Sequence, residues 1–160
     1  MTDHDGAAHV KELVEDQRLA MLTTVHPETG ALTSRPMTLQ QVDDDGTLWF
    51  LTLRESSPAH EIESTPRVNV AFAQEGAWVS IAGRAEVRHD PEKARELWDE
   101  MVKTWFQKEP EDPDVVVLRV DGETAEYWDS PGRVATVVEM VRARVSGERP
   151  DPGESHTVDL

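Results

Sequence analysis

The feature that most constrains this chain is a tight turn set inside strand-like text. Asp43-Asp44-Asp45-Gly46 carries an Asp-Gly pair that tolerates positive φ, directly before the apolar run Thr47-Leu48-Trp49-Phe50-Leu51-Thr52-Leu53. Upstream, Ala31 to Val42 reads as extended chain, so the two segments predict a hairpin. Pro36 lies within the first arm and argues against a central, fully hydrogen-bonded strand there, because proline has no N–H to donate. The same alternation recurs along the chain. Leu19 to Val25 is apolar and β-branched and ends at the turn His26-Pro27-Glu28-Thr29-Gly30. Arg67 to Phe72 and Ala77 to Val87 read as two more strands, with Gly83 marking a bulge or sharp bend. Val115 to Val120 and Thr124 to Trp128 follow, joined by a turn expected at Asp121-Gly122.

Helical text is sparser. Val10, Leu13 and Val14 define one face of a short helix over His9 to Gln17. Ser56-Ser57-Pro58 opens another, with Ser57 expected as N-cap and Pro58 at the first helical position, ending before Thr65-Pro66. Asp90-Pro91 caps the clearest helical pattern, in which Ala94, Leu97, Trp98, Met101, Val102 and Trp105 recur at helical spacing. An acidic, proline-bearing loop, Lys108 to Asp114, comes next. Val134, Val137, Val138, Val141 and Val145 predict a last helix ending at Gly147. About seven strands and four helices, several strands joined by short turns, specify a mainly β chain. The predicted architecture is a small antiparallel barrel with peripheral helices. It forms a single domain over residues 1–147, followed by a polar tail, 148–160, that is either loose or a packed extension.

Charge and composition remove whole classes of function. The chain has 160 residues, 32 of them acidic and 16 basic, for a formal net charge of −16. A nucleic-acid backbone or an anionic membrane surface needs the opposite balance. With no cysteine there are no disulfides, thiolate metal sites or cysteine nucleophiles. Met1 to Gly6 is acidic and lacks an apolar segment, and no run reaches the roughly 18 apolar residues of a spanning helix, so a soluble cytoplasmic protein is expected. The histidines at 4, 9, 26, 60, 89 and 156 are scattered without helical pairing and read as surface residues, so no metal site is expected. No G-x-S-x-G elbow and no G-x-G-x-x-G after a strand occurs.

Two residue types carry the remaining information. Five tryptophans outnumber the other aromatics. Trp98 and Trp105 share one apolar helical face, and Trp49 and Trp78 lie in predicted strands, so core packing is their leading explanation, with a planar ligand beside some of them the lesser one. In so acidic a chain the arginines stand out. Arg35 lies within Ser34-Arg35-Pro36-Met37, and Arg54 directly precedes the serine-rich helix start. A helix N-terminus with its free N–H groups and positive dipole end suits a phosphate. The alternative is that Ser57 only caps the helix and both arginines pair with surface acids.

Taken in order, the segments resemble the pyridoxamine 5′-phosphate oxidase-like flavoproteins, within them the general stress protein 26 branch. The resemblance runs from about Leu19 to about Gly153. It is carried by Ser34-Arg35-Pro36-Met37, Leu48-Trp49-Phe50-Leu51-Thr52, Ser57-Pro58, Pro66-Arg67-Val68-Asn69-Val70, Val79 to Val87, Glu96-Leu97-Trp98, Trp105-Phe106, Glu126-Tyr127-Trp128-Asp129-Ser130-Pro131, and Gly147 with Gly153-Glu154. It implies an FMN-binding split barrel forming a homodimer with flavin at the subunit interface. By that likeness Arg35, Pro36, Met37 and Thr38 run along the isoalloxazine edge, largely through backbone groups. Phe50, Leu51 and Thr52 reach the ribityl chain and phosphate, Arg54 and Ser57 lie close to the phosphate, and Trp78 lines the site. Trp105 and Trp128 approach the flavin from the partner subunit, with Arg133 a weaker candidate.

Two departures qualify the likeness. Ala59 stands where much of the family has a phosphate-anchoring lysine, leaving His60 or Arg54 to substitute. Tyr127 to Val134 also lacks the histidine of the Arg-x-His segment that holds substrate in true pyridoxamine phosphate oxidases, which argues against vitamin B6 oxidation. The implied function is a flavin-dependent oxidoreductase linked to stress response, exchanging electrons with a nicotinamide nucleotide or another small molecule. Alternatives are a non-catalytic flavin-binding or sequestering protein, and a related barrel using a deazaflavin. Haem has no histidine in an obvious axial position.

Overall fold

The structure, a computed structural model, describes residues 4–74, 76–129 and 155–160. Within them the order is α1 (His4–Val14), β1 (Leu19–Val25), β2 (Leu32–Thr38), β3 (Gln41–Val42), β4 (Leu48–Leu53), α2 (Ser57–Ser64) and β5 (Arg67–Gln74). β6 (Ala77–Arg88), α3 (Pro91–Leu97), α4 (Glu100–Phe106), β7 (Val115–Asp129) and β8 (Ser155–Asp159) complete it. The strands form one antiparallel sheet in the order β2-β1-β5-β6-β7-β4-β3, curled into a split barrel. β7 is its axis. One edge pairs with β6, while the other pairs first with β4, at Val115 to Val120, and then with β8, at Thr124 to Trp128.

Period-two alternation makes the inner face. Ala20, Leu22 and Thr24 of β1, Val68, Val70 and Phe72 of β5, and Val79, Ile81 and Ala85 of β6 are buried. The aliphatic and aromatic side chains among them join Leu48, Phe50, Leu118, Val120, Val10, Val14 and Ile62 in the main core. A second cluster, of Leu51, Ala94, Leu97, Val102, Val115 and Val117, lies where α3 and α4 cover the other face of β4 and β7. Coverage on both faces explains the unbroken apolar run Val115 to Leu118, every residue of which is buried.

Several expectations are corrected. Ala31 to Val42 is not one hairpin arm. β2 pairs with β1, and only Gln41 and Val42 pair with β4. The backbone changes partner at Leu39, whose N–H goes to Arg18, and Gln40, whose N–H goes to Trp49 O. Pro36 is thereby accommodated on a terminal strand. Asp121-Gly122 does not turn the chain either, since β7 runs straight through it. The β6–β7 register slips there, between Ala82 and Gly83, and a Cβ on Gly83 would fall 2.1 Å from Asp121 O. Gly83 is thus the close-approach glycine of a bulge. α1 covers His4–Val14 rather than His9 to Gln17, because Gln17 folds back to end it, its amide donating to Leu13 O at 2.7 Å.

The pattern from Ala94 to Trp105 is two helices. Trp98 takes an extended conformation, φ −73° and ψ 130°, and Asp99 caps α4 by accepting from Val102 N–H at 2.8 Å. Apolar spacing alone does not register that cap. α4 is consequently set so that Val102 is buried while Met101 and Trp105 face outward. Core packing holds for half-buried Trp98 and Trp49, and fails for Trp105 at 79% and Trp78 at 41% exposed. The final expected helix, Val134 to Gly147, lies outside the described residues, as do Arg133 and Gly153-Glu154. Beyond them β8 packs on β7, and Leu160 lies against Gly46 and Gly122.

Candidate functional site

The split in the barrel is a gap between β2 and β4. β2 ends the sheet, so its edge away from β1 has no strand partner among the described residues. β4 pairs with β3 only at Leu48 and Trp49, which leaves the same-side edge from Phe50 to Leu53 without one. The two strands approach each other without forming a ladder. Unpaired strand edges offer backbone N–H and C=O groups to a ligand.

α2 stands at one end of this gap. Its N-cap is Ser56, not Ser57. Ser56 Oγ accepts from Ala59 N–H at 3.4 Å and from Thr52 Oγ1 of β4 at 3.0 Å. The expected serine was one position late because adjacent serines look equivalent in sequence, and only the extended backbone of Ser56 (φ −73°, ψ 150°) distinguishes them. Ser57 is exposed at the first helical position. Pro58 has no N–H and the Ala59 N–H is taken by the cap, so Ser57 supplies the polar groups presented at the helix start. Ala59 is fully buried, and exposed His60 faces Glu55 at 3.4 Å.

The two flagged arginines have different surroundings. Arg35 lies opposite Leu22, on the inner face of the sheet. Its Nη2 lies 3.2 Å from Glu61 Oε2 of α2, its Nη1 donates to Thr24 Oγ1 at 2.5 Å, and the Thr24 hydroxyl donates to Glu61. The Arg35 and Glu61 side chains are only 18% and 12% exposed. The Thr24 hydroxyl, foremost, and then the Arg35 guanidinium hold the Glu61 carboxyl below its ordinary pKa against the upward push of burial. Arg54, by contrast, has no carboxylate partner among the described residues. Its Nε donates to Pro113 O at 3.1 Å, and every other described arginine has an acid within salt-bridge distance. Among the described residues, pairing with surface acids therefore fails as an explanation for both: the acid of Arg35 is largely buried, and Arg54 has none.

The remaining flagged residues divide by face. Phe50 is fully buried in the main core, Leu51 lies in the second cluster, and buried Thr52 faces Ser56, so Phe50 and Leu51 present only backbone to the gap. Met37 packs on the main core, while Pro36 and Thr38 alternate to the outer face. Trp78 and Trp128 lie directly opposite each other on that outer face. Leu19, Met21 and Leu32 share it, at 66%, 42% and 73% exposed, making an apolar sheet surface next to the gap. Trp105 lies apart from these, on α4 beside Met101. Sequence reasoning missed Glu61, Thr24 and Ser56. Glu61 carries no local signal, being one of 32 acids, and Thr24 reads as ordinary strand text. Among the described residues no group of three or more potential ligands is arranged for a metal, and no helix is long and apolar enough to cross a membrane.

Comparison with known proteins agrees with this fold. The family model described as pyridoxamine 5′-phosphate oxidase like matches residues 5–151. General stress protein 26 of Bacillus subtilis is 25% identical over 145 residues, 88% of this chain and 100% of the relative. A solved structure from Jannaschia sp. CCS1, described as a general stress protein 26, superposes with a TM-score of 0.77 at 28% identity, covering 100% of both chains. The general stress FMN/FAD binding protein of Xanthomonas citri superposes with a TM-score of 0.64 at 27% identity, over 81% of this chain and 89% of that one.

Proposed function

The chain belongs to the pyridoxamine 5′-phosphate oxidase-like family, in its general stress protein 26 branch, and from that premise we propose that it binds FMN and acts as a cytoplasmic, homodimeric flavin-dependent oxidoreductase linked to stress. The observation that carries the reading is Arg54, a half-buried arginine without a carboxylate partner among the described residues, next to a capped helix start in a chain of net charge −16. Exposed charges beyond about 8 Å are largely screened at physiological salt, so local groups decide where a dianion settles. Arg54, the Ser57 N–H and hydroxyl, and the positive end of α2 fit the phosphate. The open edge of β4 and the backbone of β2 fit the polar rim of the ring system and the ribityl hydroxyls. The likeness of this chain to the Xanthomonas citri FMN/FAD binding protein supports a flavin here.

The isoalloxazine ring would supply the electron chemistry, which needs no dedicated side-chain base. This chain's own residues bind and orient it. Trp78 and Trp128 offer adjacent aromatic surfaces on the apolar sheet face, and a second copy covering that face would bury Leu19, Met21 and Leu32 and enclose the ring. Trp105, outward on α4, is available to a partner's site. Vitamin B6 is not the assigned substrate, because no histidine occurs in Tyr127 to Val134. Buried Ala59 favours a second reading, a flavin-binding protein without turnover, since the phosphate is left with Arg54 as its cation.

The test is optical. The purified protein should show flavin bands, or acquire them on FMN addition with quenching of flavin fluorescence; no bands and no binding would overturn both readings. Anaerobic mixing with NADH or NADPH then separates them. Rapid bleaching marks an oxidoreductase, and a flavin reduced only by dithionite marks a binder.

A further inference from the structure

Arg54 is held by an acidic turn, yet among the described residues it pairs with none of that turn's carboxylates. Glu109, Glu111, Asp112 and Asp114 all lie in the segment between α4 and β7. Two carbonyls of this segment fix Arg54. Asp114 O accepts its backbone N–H at 2.8 Å, and Pro113 O accepts its Nε at 3.1 Å. The Asp114 carboxylate therefore belongs to a residue that anchors Arg54. It is engaged by Lys108 instead, whose Nζ donates to Asp114 Oδ2 at 3.1 Å and lies 3.7 Å from Asp112 Oδ2. Asp112 also braces the turn, accepting from the Asp114 N–H at 2.9 Å, and Arg95 takes Glu111 at 2.6 Å. The hydrogen bond to Asp114, foremost, and the Asp112 charge raise the Lys108 ammonium above its ordinary pKa.

We propose that Lys108 is a positioning residue of the phosphate site: by holding the Asp114 carboxylate it keeps an internal acid off Arg54 and leaves that guanidinium to a phosphate. The inference rests on the flavin reading above, in which Arg54 meets the phosphate. A carboxylate and a phosphate compete for one guanidinium, since both accept from the same fork of N–H groups. Nε is given to Pro113 O, so the Nη groups are what Arg54 offers a dianion. Without Lys108 the half-exposed Asp114 side chain loses its cation, and Arg54, one backbone hydrogen bond away, is the replacement. Lys108 acts through Asp114 and does not itself touch the phosphate.

FMN and riboflavin differ by the phosphate alone, so their affinity ratio reports on Arg54. Fluorescence titrations of both should be run on wild type, Lys108→Met, Lys108→Met/Asp114→Asn and Lys108→Met/Glu109→Gln, with circular dichroism confirming folded protein. Lys108→Met should lower the FMN preference about fivefold, the scale of one partly exposed charge pair. Removing the released carboxylate in Lys108→Met/Asp114→Asn should restore the wild-type preference, as expected of coupled neighbours. Lys108→Met/Glu109→Gln has the same net charge as that rescue and should restore little. An unchanged preference in Lys108→Met overturns the proposal. So does a loss that persists in Lys108→Met/Asp114→Asn, which marks Lys108 as a phosphate ligand, or equal rescue by both doubles, which marks a diffuse field of charge. An equal loss for both flavins in Lys108→Met overturns it too, because the turn and not the phosphate contact has then changed. A crystal structure of unliganded Lys108→Met should place Asp114 within salt-bridge distance of Arg54, and Asp114 anywhere else counts against the proposal in the same way. Should Lys108→Met not fold, Lys108→Gln takes its place with the same expected and overturning results. Wild-type protein that binds neither flavin overturns the flavin reading, and this inference with it.

Discussion

Arg35 and Arg54 lie on the two strands that flank the same gap, and their environments are opposite. Arg35 faces inward and its charge is answered by Glu61 and Thr24. Arg54 is half-buried, its Nε donates to the Pro113 carbonyl, and among the described residues it has no acid partner. The first holds elements of the fold together, and the second is the arginine to which the proposed function assigns the phosphate. A guanidinium at low exposure is tolerated when paired. In a chain this acidic, an arginine without an acid partner among the described residues is the exception, since every other described arginine has one.

Substitution should separate the two. Arg35→Ala leaves Glu61 interior without its cation, and should cost about 3 kcal/mol in urea unfolding; a loss too small to measure would show that the pair is not structural. Arg54→Ala should leave stability within about 0.5 kcal/mol and weaken FMN binding about tenfold, while riboflavin binding hardly changes. If the two flavins weaken together, the phosphate is not at Arg54. Thr52→Val removes the hydroxyl that braces Ser56 and should cost about 1 kcal/mol, read as a lower urea midpoint.

Acid should distinguish the regions as well. The folded-state pKa of Glu61 is depressed below its ordinary value of 4.5, so its contribution is fully present above that value and is lost as pH falls through the folded value. Wild type should therefore lose stability below about pH 4.5 more steeply than Glu61→Gln. Parallel curves would show that other carboxylates govern the acid limb. The smallest effect belongs to Trp105→Ser, expected to change unfolding of the isolated subunit by less than about 0.5 kcal/mol because the ring is exposed.

Legibility in the sequence followed the range of the interaction. Strand text, the Asp43 to Gly46 turn, the stop before Pro66 and the Gly83 bulge all depend on neighbours within a few residues, and those expectations matched the structure. The hairpin arm from Ala31 to Val42 and the turn at Asp121-Gly122 failed because pairing partners there are chosen by distant strands. The long helix failed at Asp99, a cap that is also engaged with Arg18 at 3.0 Å from the far side of the chain. Arg35 and Arg54 were conspicuous as arginines in an acidic chain, but nothing near either in sequence told the acid-paired arginine from the one without an acid partner among the described residues.

By itself, then, the sequence determined a mainly β chain without cysteine, its strands and most of its turns, and the ordered set of segments that places it in its family. These follow from side-chain periodicity and backbone preference, which act locally. The tertiary structure alone decided that Glu61, one acid among 32, meets Arg35 across 26 residues, and that Arg54 meets no acid among the described residues. Charge pairing in an interior depends on which groups the folded sheet brings within a few ångströms, and no local pattern encodes that distance.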